Sequence, residues 1–137
     1  MATAGYSGTP LYKKLNYKEG QVVQVWNAPE TYQDYLTGRP AVTLTNDLNL
    51  KKDLIHYFTT EVHQLKADLV LLKAQLKPDG MIWISWPKKA SKVITDLTED
   101  LIRELALAHG LIDVKVCAVD ATWSALKLVI PVTKRNL

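Results

Sequence analysis

Several features that define common protein classes are absent from this sequence. Cys117 is the single cysteine among 137 residues, so the chain can form no internal disulfide bond. No apolar run approaches the roughly 18 residues that a membrane-spanning helix needs. The start, Met1-Ala2-Thr3, is not followed by the apolar segment of a secretory signal. We therefore expect a cytoplasmic protein that makes no contact with a membrane.

A large excess of charge of one sign is also missing. The chain carries 17 Lys and Arg residues against 14 Asp and Glu residues, and its formal net charge is +3. The basic residues are scattered, apart from adjacent pairs such as Lys88-Lys89. Proteins that bind nucleic acids usually gather Lys and Arg into one stripe or patch. Nucleic acid is therefore not expected as a partner.

The common catalytic patterns are lacking as well. The spacing of His56, His63 and His109 matches no zinc motif. The chain has no Gly-x-Ser-x-Gly turn and no phosphate loop with Walker spacing. The sequence therefore assigns no catalytic residue, no metal and no cofactor, and it leaves open whether the chain is an enzyme.

Short apolar runs alternate with helical patterns along the chain. The clearest helix is predicted over 61–76, where an apolar residue recurs every three or four positions. A second helix ends at Gly110 and begins near Asp96, which has the spacing of a capping box with Glu99. Strands are predicted over 21–26, 41–45, 53–58, 81–86, 113–119 and 124–132. The tetrapeptide Lys77-Pro78-Asp79-Gly80 predicts a turn before the fourth of them.

This alternation predicts an α/β fold. Helices of crossover length between strands favour a mostly parallel, doubly wound sheet of about six strands, with helices on both faces. The last two strands are close in sequence and predict a C-terminal antiparallel hairpin. We expect one α/β domain over residues 10–137, preceded by a flexible tail over residues 1–9.

The carboxyl ends of the parallel strands are where a doubly wound sheet binds its ligands. Six residues at these ends are the candidates for a site that binds a small anionic ligand: Asn27, Trp86, Lys88, Lys89, Asp120 and Trp123. The alternative interpretation is that both tryptophans pack in the rim of the sheet and that the lysines are solvated surface residues.

Nearly the full length of the chain resembles a family of small bacterial proteins that share a domain of unknown function. The resemblance implies a bacterial cytoplasmic protein and carries no activity with it. Its marks are Tyr6-Ser7-Gly8-Thr9-Pro10-Leu11, Trp86-Pro87-Lys88-Lys89-Ala90-Ser91, Thr95-Asp96-Leu97-Thr98-Glu99 and the stretch 113–129.

Residues 53–132 also resemble class I methyltransferases that use S-adenosylmethionine (SAM). Residues 76–85 resemble the turn into their fifth strand, and 97–130 resemble the end of their fold. This resemblance implies a reduced sheet with strand order 2-1-3-4-6-5, and it implies that Asp47 holds the ribose. The first strand departs from the family, since Trp26-Asn27-Ala28-Pro29 contains no glycine. Glycine is what lets backbone approach a cofactor closely, so tight SAM binding is not expected.

Three functional interpretations follow, and the scattered charge argues against the weakest of them, a nucleic-acid accessory protein. The leading one is a non-catalytic binding domain with a reduced methyltransferase-like fold, whose partner is a protein or a small anionic ligand. The alternative is a SAM-dependent transferase with an altered cofactor site.

Overall fold

The computed structural model describes residues 8–135 and contains four helices and six strands in this range. The helices are α1 (Leu11–Lys14), α2 (Tyr32–Tyr35), α3 (Val62–Ala74) and α4 (Glu99–Ala108). The strands are β1 (Val22–Trp26), β2 (Thr43–Leu44), β3 (Lys52–Phe58), β4 (Leu76–Pro87), β5 (Ile112–Ala118) and β6 (Trp123–Val129). Residues 1–7, most of the predicted N-terminal tail, lie outside the described residues.

All six strands form one sheet in the order β2-β1-β3-β4-β6-β5. The pairs β1–β2, β1–β3 and β3–β4 are parallel, whereas β6 is antiparallel to both β4 and β5. The predicted α/β fold class, the strand order and the C-terminal antiparallel hairpin are confirmed. The first four strands therefore end at one edge of the sheet, which we call the carboxyl edge.

A hydrophobic core lies on each face of the sheet. The alternation of side chains along β3 explains this division, because successive residues of a strand point to opposite faces. Ile55 and Tyr57 pack in the core shared with α3 and α4, and Leu54 and Phe58 pack in the core shared with α1 and α2. Both faces of β3 are buried, as its nearly unbroken apolar sequence predicts.

A chain of four buried polar side chains crosses the core beside α1 and α2. The Nε2 atom of His56 lies 2.7 Å from Ser85 Oγ, and its Nδ1 atom lies 2.7 Å from Tyr32 Oη. Tyr32 Oη lies in turn 2.8 Å from Tyr17 Oη. Burial lowers the pKa of His56 to about 3 and raises that of Tyr17 to about 12. All four groups are therefore neutral at pH 7, as the interior requires.

Two local predictions need correction. The tetrapeptide 77–80 is not a turn, because β4 begins at Leu76 and runs through it. Asp96 does not cap its own helix: Thr98 is the N-cap of α4 and accepts a hydrogen bond from Leu101 N at 3.1 Å. The Oδ1 atom of Asp96 accepts instead from Val62 N at 2.8 Å. This bond joins the start of α3 to the loop before α4 and fixes both at the carboxyl edge.

The link from β2 to β3 positions the candidate site. Residues 45–51 form only turns and irregular chain, so no helix follows β2. Leu44, Leu48 and Leu50 are all exposed along this link. The carboxyl ends of β1 and β2 are consequently left open.

Candidate functional site

A groove opens at the carboxyl ends of β1 and β2. Its volume is about 360 Å³, and its lining consists of Gln24, Val25, Trp26, Asn27, Asn46 and Leu48. A second cavity of about 280 Å³ shares Val25 and Asn46 with it and is also lined by Gln33 of α2. The two cavities therefore lie on either side of the β1–β2 pair, and the groove is the larger one.

Two residues that line the groove each carry a buried polar atom without a hydrogen-bond partner among the described residues. The atoms are Oε1 of Gln24 and Nε1 of Trp26. The two side chains share one face of β1, where the Trp26 ring packs against Tyr57 at a centroid distance of 5.7 Å. A buried donor or acceptor without a partner costs about 1–3 kcal/mol. A ligand that offers one donor and one acceptor would recover this cost once the two side chains turn these atoms toward the groove.

Asn27 makes the turn that follows β1. Its backbone adopts φ = +59°, the left-handed conformation that glycine usually supplies and that asparagine also tolerates. Its Nδ2 atom donates to Phe58 O at 3.2 Å, which joins the carboxyl ends of β1 and β3. The chain therefore makes the sharp turn without glycine and keeps a side chain where a glycine-rich turn would leave open space.

A buried lysine fixes the conformation of the β2–β3 link. The Nζ atom of Lys52 donates to Asp47 O and to Gln75 Oε1, both at 2.6 Å. The carboxylate of Asp47 is exposed and accepts from Asn49 N at 2.9 Å. Asp47 is thus fixed in the link, next to Asn46 in sequence and hydrogen-bonded to Lys52, the first residue of β3.

Five of the six candidate residues lie around the end of β4. Trp86 is buried in the core beside α3 and α4. Trp123 packs edge-on against Phe58 at a centroid distance of 5.1 Å. The Oδ1 atom of Asp120 accepts from Thr122 N and Trp123 N and closes the β5–β6 turn.

The two adjacent lysines lie where β4 ends. Pro87 pairs with Trp123 in the sheet, and Lys88 N donates to Thr122 O at 2.8 Å. Lys89 is exposed and opens a short 3₁₀ turn. The structure thus brings Trp86, Lys88 and the β5–β6 turn together. Asn27 lies two strands away, because β3 separates β1 from β4.

Sequence reasoning missed Gln24 and Trp26 as groove residues. The available signal was a polar residue inside the apolar run Val22-Val23-Gln24-Val25-Trp26. Such a residue is buried at a cost unless it finds a partner. The sequence does not show that the Gln24 side chain lacks a hydrogen-bond partner.

The described residues contain neither a metal-binding cluster nor a membrane-spanning helix. Within residues 8–135, no group of three or more His, Cys, Asp or Glu side chains is arranged to hold a metal ion. In the same range, no helix has the length and apolar character that a membrane crossing requires.

Comparisons with known proteins define the fold further. No family model and no curated protein sequence matches the chain. A SAM-dependent methyltransferase from Aquifex aeolicus has a TM-score of 0.62 at 15% identity, over 88% of this chain and 87% of that one. A protein from Sulfolobus solfataricus assigned as a type 11 methyltransferase has a TM-score of 0.65 at 14% identity, over 93% of both chains. Magnesium protoporphyrin IX methyltransferase from Synechocystis, with bound S-adenosylhomocysteine (SAH), has a TM-score of 0.55 at 13% identity, over 87% and 77%.

These similarities establish a methyltransferase-like fold over nearly the whole chain. At identities of 13–15%, these similarities are evidence for the fold alone. The resemblance to the small bacterial family stays a prediction.

Proposed function

We propose that the protein is a SAM-dependent transferase whose cofactor places its adenosyl end in the groove between β1 and β2. The observation that carries the proposal is the pair of buried, unpartnered atoms, Gln24 Oε1 and Trp26 Nε1, which belong to two residues that line that groove. The structural similarity to methyltransferases over nearly the whole chain supports this function over a non-catalytic domain.

An adenine ring can form the two hydrogen bonds that these atoms lack. Its exocyclic amine can donate to Gln24 Oε1, and a ring nitrogen can accept from Trp26 Nε1. A flat heterocycle also suits a groove whose remaining lining includes Val25 and Leu48. The residues present therefore fit the adenosyl group, although they differ from a glycine-rich turn.

The rest of the ligand would extend along the carboxyl edge. In the proposed arrangement, the carboxylate of Asp47 accepts hydrogen bonds from the ribose hydroxyls. Lys88 and Lys89 attract the carboxylate of the amino-acid end, since β4 lies two strand spacings from β1, about 10 Å away. Bound SAM supplies an activated methyl group. The chain's own contribution is to hold donor and acceptor in a reactive orientation.

The second candidate function is a non-catalytic binding domain for a protein partner or a small anionic ligand. The conformation of Asn27 favours it, because the amide that joins β1 to β3 occupies space that a glycine-rich turn would leave to a cofactor. Nucleic acid is not proposed as the partner, since the basic residues are largely scattered in sequence.

Calorimetric titration with SAH tests the proposed site. We expect wild type to bind SAH, and we expect Gln24→Leu to weaken binding at least tenfold, which corresponds to about 1.4 kcal/mol for one lost hydrogen bond. Gln33→Leu is the matched control, because Gln33 lies on α2 and lines only the smaller cavity. Its affinity should stay within twofold of wild type. Equal affinity in the wild type and Gln24→Leu would place the ligand elsewhere.

A labelling experiment separates the two candidate functions. Methyl-labelled SAM is incubated with the protein and a cell extract, and the Trp26→Phe variant serves as the comparison. Label that enters an acceptor only with wild type supports a transferase. SAH binding without any transfer of label supports the binding domain.

A further inference from the structure

A cluster of lysines lies at the opposite edge of the sheet from the groove. In the β5–β6 hairpin, Lys115 is paired directly with Lys127. Both side chains reach the segment that follows α1: Lys127 Nζ donates to Asn16 Oδ1 at 3.0 Å, and Lys115 Nζ lies 3.4 Å from Lys14 O. Lys18 follows in the same segment. The amino groups of β5 and β6 therefore point to the same side of the sheet.

No carboxylate of residues 8–135 forms an ion pair with Lys18, Lys115 or Lys127. The oxygens that accept from Lys115 and Lys127 belong to a backbone carbonyl and a side-chain amide. Burial, and then the positive charges of Lys115 and Lys18, lower the pKa of Lys127. Like charges directly opposite each other on neighbouring strands destabilise a sheet.

The backbone beneath the cluster is fixed. Asn16 adopts φ = +66°, and its carbonyl oxygen accepts from Gln21 Nε2 at 3.0 Å. Lys127 is only partly exposed, so its amino group is held at Asn16 instead of moving freely in solvent. A ligand that supplies negative charge at this place would offset the repulsion between the two lysines.

We propose that Lys115 and Lys127 form a binding site for a diphosphate group, either as free pyrophosphate or as part of a small nucleotide. Two ammonium groups on paired strands match a ligand with several negative charges, and phosphate oxygens accept strong hydrogen bonds from lysine. The site is separate from the β1–β2 groove, because β5 is the last strand at the far edge of the sheet. The proposed diphosphate site does not depend on whether the groove binds SAM.

The test uses the full chain and pyrophosphate in calorimetry at low salt. Lys115→Gln with Lys127→Gln should weaken binding at least tenfold. The matched control is Lys66→Gln with Lys134→Gln, which removes the same charge from two exposed residues on other elements. Its affinity should stay within threefold of wild type. Lys115→Arg with Lys127→Arg keeps the charges and should retain binding within fivefold.

Thermal unfolding without ligand gives a second, independent readout. The Lys115→Gln, Lys127→Gln variant should melt at a higher temperature than wild type, because it removes the repulsion between paired strands. The control variant should melt within one degree of wild type, because its two lysines are not paired with each other.

A titration with ADP shows which kind of ligand carries the diphosphate group. Tighter binding than pyrophosphate indicates a nucleotide, and weaker binding indicates the free anion.

Three results would overturn the proposal. The first is equal pyrophosphate affinity in wild type and the Lys115→Gln, Lys127→Gln variant. The second is a lower melting temperature for that variant, because the two lysines would then stabilise the fold. The third is binding of an oligonucleotide without any binding of pyrophosphate or ADP, since this would indicate a polymer surface.

Discussion

Between pH 7 and pH 4, the protein is expected to lose about 3 kcal/mol of stability through His56 alone. Burial lowers the pKa of folded His56 to about 3, whereas the ordinary value is 6.5. Below pH 6.5, the unfolded chain protonates this histidine and the folded chain does not. The unfolded state therefore binds more protons, so this part of the stability falls as the pH drops from 6.5 toward 3.

Urea unfolding at pH 7 and pH 4 checks this expectation in wild type and His56→Gln. The carboxylates are common to both proteins, so their contribution cancels when the two losses of stability are compared. The wild type should lose about 3 kcal/mol more than the variant. The variant should already be less stable at pH 7, because Tyr32 and Ser85 lose a well-placed partner. Equal losses in both proteins would contradict a neutral, buried His56.

Replacing Gly80 with alanine is expected to destabilise the fold by about 3 kcal/mol, at the upper end for overpacking a filled site. A Cβ atom at Gly80 would lie 2.7 Å from Leu76 Cδ1 and 3.0 Å from both Lys52 O and Asp53 O. The two carbonyl oxygens belong to β3, which is paired with β4, so they cannot move without separating the strands.

Gly20→Ala is the control for the Gly80→Ala measurement. Gly20 has φ = +84°, but a Cβ atom there would meet nothing within 4 Å. The control should cost about 1 kcal/mol, which is the backbone cost alone. Urea or thermal unfolding of both variants measures the difference. A Gly20→Ala variant that is less stable than Gly80→Ala would show that crowding between β3 and β4 is unimportant.

Gly80 also shows where sequence reasoning stops. Lys77-Pro78-Asp79-Gly80 has the composition of a turn, and local chemistry favours one. Pairing with β3 overrides that preference: Lys52 N donates to Gln75 O at 2.8 Å, and Lys77 Nζ lies 3.1 Å from the Asp53 carboxylate. These partners are more than 20 residues apart, so no local pattern contains them. The parallel core strands were predictable, because their apolar runs and intervening helices are local features.

The candidate site was predictable only in its general location. The carboxyl edge follows from the fold class, and both Lys88 and Asn27 lie at strand ends there, as the sequence predicts. The groove follows from the link between β2 and β3, which contains no helix to cover β1. In the sequence, Gln24 and Trp26 occupy positions that resemble those of core residues. Whether a neighbouring group satisfies their polar atoms depends on the tertiary structure, which no local pattern contains.

In the proposed cofactor site, an adenosyl group lies against Trp26. The most direct test is a ¹⁵N–¹H spectrum of the labelled protein during titration with SAH, because each of the four tryptophans contributes one indole signal. Trp→Phe variants assign the signals. Saturating SAH should move the Trp26 signal downfield as Nε1 gains an acceptor, whereas Trp83, whose Nε1 already donates to Leu15 O at 2.9 Å, should stay unchanged. Bound SAH that leaves the Trp26 signal in place, or that moves only those of Trp86 and Trp123, would contradict the account.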